Sequence, residues 1–404
     1  MFVYTLTYVL AFVSTFFATK FKVSFDKEKK KKDLLFFILL GVLTFIILAL
    51  PVCLRYGIGY DYLDIDTPVL QDLQNGLYQD KYRKIEFIPY ILATQIVKHE
   101  LPFELFFAIY GLLTNLNFVL AIYLSKKNDF MTKLFVFLFY ALYVSQMNQM
   151  RQGLGISMGV LAFSILINYK DKKLGIVLAY LIALLSIGAH FTELFNLVIL
   201  TIYLLVDKFG NKLSKNKLMV LTFGVIFVIP VLFIALKYTI SYIPFIKRYA
   251  YFFTSEDTSV LDNTLKSLDP NSGFTKFLNN VILIGGSFGI FIVCYANFIF
   301  MLIYFENTDD NNMKAIFLYL GLSIALSIST MLMKNLMLAD RTRTLLYGLD
   351  IFIFPYILSK LDGKAKLAYK YIVGGLMIAL TVGTVIPAKV YPYRTFIAKD
   401  YLIY

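Results

Sequence analysis

Apolar runs alternate with polar gaps from one end of the chain to the other. Most of the runs are long enough to cross a ~30 Å hydrocarbon core as a helix rising ~1.5 Å per residue. The pattern predicts twelve spans: 2–19, 34–53, 101–124, 130–147, 152–169, 174–189, 191–206, 218–236, 277–304, 315–332, 344–359 and 371–386. The run 191–206 is short and holds Glu193 and Asn196, and the pattern splits around His190. Residues 86–98 are apolar but too short to cross, so they suggest a re-entrant or interfacial helix. The expectation is an all-α, polytopic membrane protein with about 12 transmembrane helices. It forms a single integral membrane domain over 1–404, with the outer loops 54–100 and 237–276 contributing to any site.

Composition supports this pattern. Hydrophobic residues make up 59% of the 404 positions and charged ones 16%. The mean hydropathy is +0.71, well above that of a soluble domain. The longest polar gaps are too short to hold a separate core. The net charge of +13 raises the question of nucleic acid, but lysines facing anionic cytoplasmic lipid explain it, as in the run Lys27–Lys32. No nucleic-acid partner is expected. The two cysteines, Cys53 and Cys294, stand near a helix end and mid-span, which argues against a disulfide. The first apolar run lacks a basic leader and a small-residue cleavage site, and reads as a retained span.

Charge type changes the picture more than total charge. The gaps 20–33, 125–129, 170–173, 207–217, 305–314 and 360–370, with Lys133, hold 22 of the 39 basic residues. That lysine-dense side is expected to be cytoplasmic, which puts both termini outside. All seven arginines (Arg55, Arg83, Arg151, Arg248, Arg341, Arg343 and Arg394) then fall on the outer side. Lysine suffices as a topology signal. Arginine adds a planar fork able to hold two phosphate or carboxylate oxygens, so the outer face looks equipped for an anionic ligand.

Several polar constellations interrupt the apolar pattern. Arg55 to Asp66 (RYGIGYDYLDID) follows the second span, with two glycines that allow a sharp turn and a possible Arg55–Asp61 pair. Glu86 opens the short apolar helix, where the positive end of a helix dipole favours a carboxylate. Asn148-Gln149-Met150-Arg151-Gln152-Gly153 joins two spans with almost no loop, and a polar cluster wedged there is costly unless paired or ligand-facing. Gly155 and Gly159 offer a small-residue face for close helix packing. His190, within Gly188-Ala-His190-Phe-Thr192-Glu193, is the side chain best suited to moving protons near neutral pH. Asp340-Arg341-Thr-Arg343 and Tyr347 enter a later span, and Tyr391-Pro-Tyr393-Arg394 forms an aromatic outer tail. No Walker loop, GxGxxG, GxSxG or HExxH motif is present, and there is no Cys/His cluster for zinc. The aspartates of 61–66 lack the glycine and spacing of an EF-hand loop.

Taken in order, these segments resemble the EpsG family of bacterial exopolysaccharide proteins, related to Wzy-type polysaccharide polymerases. The resemblance rests on Arg55–Asp61 after an apolar span, Glu86 among aromatics, Asn148 to Gly153, Ala189-His190-Phe191 followed by a polar pair, and Arg341/Arg343 with Tyr347. It implies a membrane glycosyltransferase with a GT-C-like helical fold in the bacterial cytoplasmic (inner) membrane. Such an enzyme polymerises undecaprenyl-diphosphate-linked oligosaccharide repeat units at the outer leaflet into exopolysaccharide, capsule or O-antigen, and releases lipid diphosphate. Donor and acceptor are both lipid-linked, a chain-length regulator is a further partner, and no cofactor or metal is implied. Catalytic candidates are His190, Glu86 and Asp61, with His190 foremost as the base. Diphosphate- or substrate-binding candidates are Arg55, Arg151, Gln152, Arg341, Arg343, Tyr347 and Asn148. Two other readings stay open. A flippase or transporter of lipid-linked sugars usually carries mid-membrane charges and internal repeats, whereas here only Asp350 lies mid-span and no halves match. A polysaccharide ligase or acyltransferase shares the arginine logic and differs in acceptor.

Overall fold

The computed structural model describes residues 2–58, 62, 66–77, 86–140, 142–239, 287–304, 310–332, 346–385 and 393. Among the described residues the chain is helical and has no β-strand. In chain order the helices are α1 (Phe2–Glu28), α2 (Lys31–Leu54), α3 (Thr67–Gln74), α4 (Phe87–Lys98), α5 (Glu104–Tyr123), α6 (Phe130–Phe139), α7 (Leu142–Asn148) and α8 (Met150–Tyr169). They continue as α9 (Lys173–Ala189), α10 (Leu194–Phe209), α11 (Lys215–Thr239), α12 (Ser287–Tyr304), α13 (Asn311–Leu332), α14 (Asp350–Lys360) and α15 (Gly363–Val385). Packing divides them into two compact units, Met1–Leu197 with Ala388–Tyr404, and Val198–Pro387.

Seven helices are long and apolar enough to cross a membrane: α1, α2, α5, α8, α11, α13 and α15. An eighth span results if α6 and α7, which meet at a bend, count as one. The sequence pattern predicts about twelve. The remaining predicted runs coincide with α9, α10, α12 and α14, which do not combine that length and hydropathy among the described residues. At 191–206 the run is cut short because His190 is extended (φ −154°, ψ 131°) and a 3₁₀ turn, Phe191–Glu193, precedes α10. The short helix expected at 86–98 is α4.

Lipid-facing and buried stripes explain why these helices need a membrane. On α2 the buried positions Phe37, Gly41, Thr44, Leu48 and Val52 recur at helical spacing. Leu35, Leu39, Val42, Ile46 and Leu50 line the opposite side and are about half exposed. On α1 the buried stripe is small or polar (Thr7, Ala11, Ser14, Thr15, Ala18), while Leu6, Val13 and Phe17 face out. Small and polar residues inside with large apolar ones outside is the pattern of helices packed in lipid. The chain is a multi-pass membrane protein.

In the first unit α1 packs on α2, α2 on α5, α5 on α8 and α8 on α9, and α4 lies against α9. Buried polar side chains bind the helices to one another. The Thr44 hydroxyl donates to Ser14 Oγ (2.9 Å) and lies 2.9 Å from the Tyr123 hydroxyl. Asn115 and Gln146 exchange amide hydrogen bonds of 3.2 Å. At one end of the bundle Ser24 donates to Asp33 (2.6 Å), and the Lys126 amide donates to Asn168 (3.0 Å), so the lysine-rich turns gather there.

In the second unit α11 and α12 pack on α13, and α12 packs on α15. Asp350, the mid-span acid, is buried and accepts from Asn297 of α12 (3.3 Å), whose carbonyl accepts from the Tyr369 hydroxyl (2.7 Å). Asp310 precedes α13 and accepts from the Tyr356 hydroxyl and from Lys360 (3.1 Å).

Candidate functional site

Four residues from four separate segments meet in the first unit. Glu86 is the residue before α4, yet its side chain makes no hydrogen bond to that helix's own amides. Its Oε2 instead accepts from Arg151 Nη1 at 3.1 Å. Its Oε1 accepts from the Phe191 backbone amide at 3.2 Å and stands 3.8 Å from His190 Nε2. Arg151, the second residue of α8, also faces Asp66 (Nε to Oδ1, 3.6 Å) just ahead of α3. One guanidinium is thus flanked by two carboxylates. Side-chain exposure is 13% for Arg151 and 14% for Glu86 against 4% for His190 and 6% for Asp66. The arginine–glutamate edge is the face a ligand can reach.

Local structure fixes the histidine. Its amide donates to Ser186 O (3.1 Å), ending α9, and its carbonyl accepts from the Glu193 amide (3.0 Å), starting the 3₁₀ turn. Nδ1 lies 2.7 Å from the Thr192 hydroxyl and accepts from the Thr192 amide at 3.4 Å. The hydroxyl contact fits either tautomer; the amide contact favours the one with Nδ1 as acceptor and the hydrogen on Nε2, the nitrogen that faces Glu86.

Two glycines allow the approach. A Cβ on Gly188 would lie 2.2 Å from the Phe87 ring edge, so glycine here lets that ring, at the start of α4 beside Glu86, lie flat against the end of α9. A Cβ on Gly155 would lie 2.4 Å from Glu193 Cγ. The small face of α8 read as a helix-packing surface thus seats the buried Glu193 side chain, three residues beyond His190. Glu193 Oε2 accepts from Asn196 (2.9 Å), which also donates to Ser186 Oγ (2.9 Å).

The other sequence candidates fall in several places. Asn148 ends α7, three positions before Arg151, and Gln152 is buried in the first turn of α8, next to Arg151 in the chain. Arg55 is buried immediately after α2, in the same unit. Tyr347 is buried in the second unit. Asp61, Arg341 and Arg343 lie outside the described residues, as do residues 240–276 of the second outer loop. Sequence reasoning passed over two residues. Asp66 shares its acidic stretch with Asp61, the aspartate that the sequence singled out instead. Tyr110 of α5 is 1% exposed, lies within electrostatic reach of Asp66, Arg151 and Glu86, and has a hydroxyl without a hydrogen-bond partner among the described residues. It gave no signal in an aromatic-rich run. Among the described residues no group of three or more His, Cys, Asp or Glu is placed to hold a metal ion.

No curated protein and no solved structure matches the chain. The model of the EpsG family matches residues 38–395, a stretch that includes Asp66, Glu86, Arg151 and His190, and the chain belongs to the EpsG family, a family of Wzy-type polysaccharide polymerases.

Proposed function

We propose that this chain joins undecaprenyl-diphosphate-linked oligosaccharide repeat units at the outer leaflet of the cytoplasmic membrane, with both termini outside and a GT-C-like helical scaffold. Family membership points to a polysaccharide polymerase. The observation that carries the finer reading is the Arg151–Glu86–His190 cluster, which sets a proton acceptor beside a histidine N–H on an accessible edge.

In the reaction a hydroxyl of the acceptor repeat unit attacks C1 of the donor's reducing-end sugar. The C1–oxygen bond to the diphosphate breaks, and its electron pair leaves with the lipid diphosphate. The hydroxyl proton passes to the His190–Glu86 pair. With Nδ1 held by Thr192 and the hydrogen on Nε2, the neutral imidazole serves as a donor, and Glu86 Oε1 is the atom that receives the proton. Arg151 fixes Glu86 from the far oxygen. Arginine charge at the site offsets the negative charge growing on the departing diphosphate. The bond energy resides in the lipid-linked donor, so the step needs no nucleotide.

The test is reconstitution of the purified chain in vesicles with lipid-linked repeat units. The expected product is a ladder of polymer, lost in Glu86→Gln and Arg151→Ala while single lipid-linked units persist. Movement of repeat units across the bilayer without joining would mark a transporter and overturn the reading. Transfer to a different acceptor only would mark a ligase.

A further inference from the structure

Arg55 is the side chain the transfer cluster leaves unexplained. It stands one residue beyond α2, in extended backbone (φ −62°, ψ 146°), before a turn in which Gly57 takes φ +59°. It is 1% exposed. Among the described residues no acceptor meets its Nε, Nη1 or Nη2, and no carboxylate pairs with it. The titratable groups that act on it most are Tyr62, Cys53, Tyr4 and Tyr393, all of types that are neutral near pH 7. Guanidinium does not shed its proton in proteins, and a buried charge without a counter-ion is strongly unfavourable.

The cage around it is built rather than accidental. Tyr393 is 2% exposed, donates its hydroxyl to Pro51 O (2.6 Å) and packs edge-on against Tyr4 at 6.0 Å. Tyr62 stacks on Phe107 at 3.6 Å. Tyr62 and Phe107 belong to the same buried cluster as Tyr110, Met150 and Ala189, the last two being chain neighbours of Arg151 and His190. The cage and the transfer cluster are therefore continuous through one layer of side chains. Their electrostatics are opposite. Arg151 already faces two carboxylates, whereas Arg55 faces none among the described residues.

We propose that Arg55, and not Arg151, is the seat of a phosphate-type anion, and that Arg151 is a positioning residue for Glu86 and Asp66. This rests on the proposed glycosyl transfer and assigns the donor's diphosphate to the Arg55 cage. A diphosphate supplies the missing charge and enough oxygens for three unpaired nitrogens, and the tyrosine walls keep water from competing.

The test measures thermal unfolding of the purified full chain in detergent against inorganic pyrophosphate, undecaprenyl diphosphate and phosphatidylglycerol. Pyrophosphate and undecaprenyl diphosphate are expected to raise the unfolding temperature of the parent protein and of Arg151→Gln, and to leave Arg55→Gln unmoved. Arg55→Lys keeps the charge but loses the fork. It should fold and need about tenfold more diphosphate for the same shift, which keeps the test decisive if Arg55→Gln fails to fold. A shift lost in Arg151→Gln and kept in Arg55→Gln or Arg55→Lys overturns the assignment while leaving the transfer reading intact. An equal shift with phosphatidylglycerol overturns it too, because the cage would then take any lipid phosphate. No response of the parent protein to either diphosphate overturns both.

Discussion

Arg151 and Glu86 stand 65 positions apart in the chain and are joined by a 3.1 Å hydrogen bond between Nη1 and Oε2. Each is largely buried; removing Arg151 leaves Glu86 without its cation, and removing Glu86 leaves Arg151 with Asp66 alone, 3.6 Å away.

That coupling makes their variants non-additive. Arg151→Ala and Glu86→Ala should each abolish polymer formation, and the double variant should be no worse than either. Polymer chain length on gels and accumulated single repeat units give the readout. Independent losses that multiply would show that the two residues act separately.

The imidazole orientation separates two roles for His190. Glutamine keeps an N–H donor near the position of Nε2 but cannot act as a base. His190→Gln is expected to retain turnover within about tenfold, whereas His190→Ala loses about a hundredfold or more, in the range general acid–base groups supply. Equal, severe loss in both would return the base role to the histidine ring.

Gly155 is a slot for a carboxyl side chain. Gly155→Ala forces its methyl into Glu193 and should destabilise the first unit by about 1–3 kcal/mol, the usual cost of overpacking. Adding Glu193→Ser should recover most of the unfolding temperature. Activity should stay low in Gly155→Ala alone, since the displaced Glu193 side chain shifts the turn that holds His190. A Gly155→Ala protein as stable as the parent would show that α8 accommodates the methyl.

The second unit carries a carboxyl group whose contribution to stability depends on pH. Burial alone raises the Asp310 carboxyl, but hydrogen bonds from Tyr356 and Lys360 outweigh it and hold the group below the ordinary carboxylate range. A depressed pKa contributes stability above the unfolded value, and that stability is lost as pH falls through the folded one. Asp310→Asn should therefore unfold at a lower temperature than the parent at pH 7, and the gap should close in acid below pH ~4. A gap independent of pH would assign the effect to packing.

Orientation is open to direct labelling. In a background lacking Cys53 and Cys294, Lys212→Cys should resist an impermeant thiol reagent applied from outside, and Asp262→Cys should react. The reverse result would put the site on the cytoplasmic side and remove the outer-leaflet chemistry.

Much of this arrangement was legible in the sequence because polarity inside an apolar chain is costly and so conspicuous. Arg151, Glu86 and His190 each stood out at the end of an apolar run, and the structure brings them together. The split at His190 followed from the same contrast. The span count was less legible: α9 and α10 are apolar but short, and apolar composition alone does not measure where a helix stops. Asp66 was passed over in favour of Asp61, because which aspartate of that stretch meets Arg151 depends on backbone direction and not on residue type. Tyr110 and the Gly155–Glu193 fit were invisible, since both depend on which helices are neighbours.

The bond from Tyr393 to the carbonyl of Pro51 ties a residue near position 400 to the second helix. The first unit is therefore discontinuous in sequence, with all of Val198–Pro387 synthesised between its two parts. At ~5–20 residues per second, the wall that Tyr393 adds beside Arg55 is missing for many seconds after α1 and α2 have entered the bilayer. During biosynthesis Tyr393 therefore reaches its place against α2 late, and Arg55 lacks that neighbour until translation has passed the whole second unit.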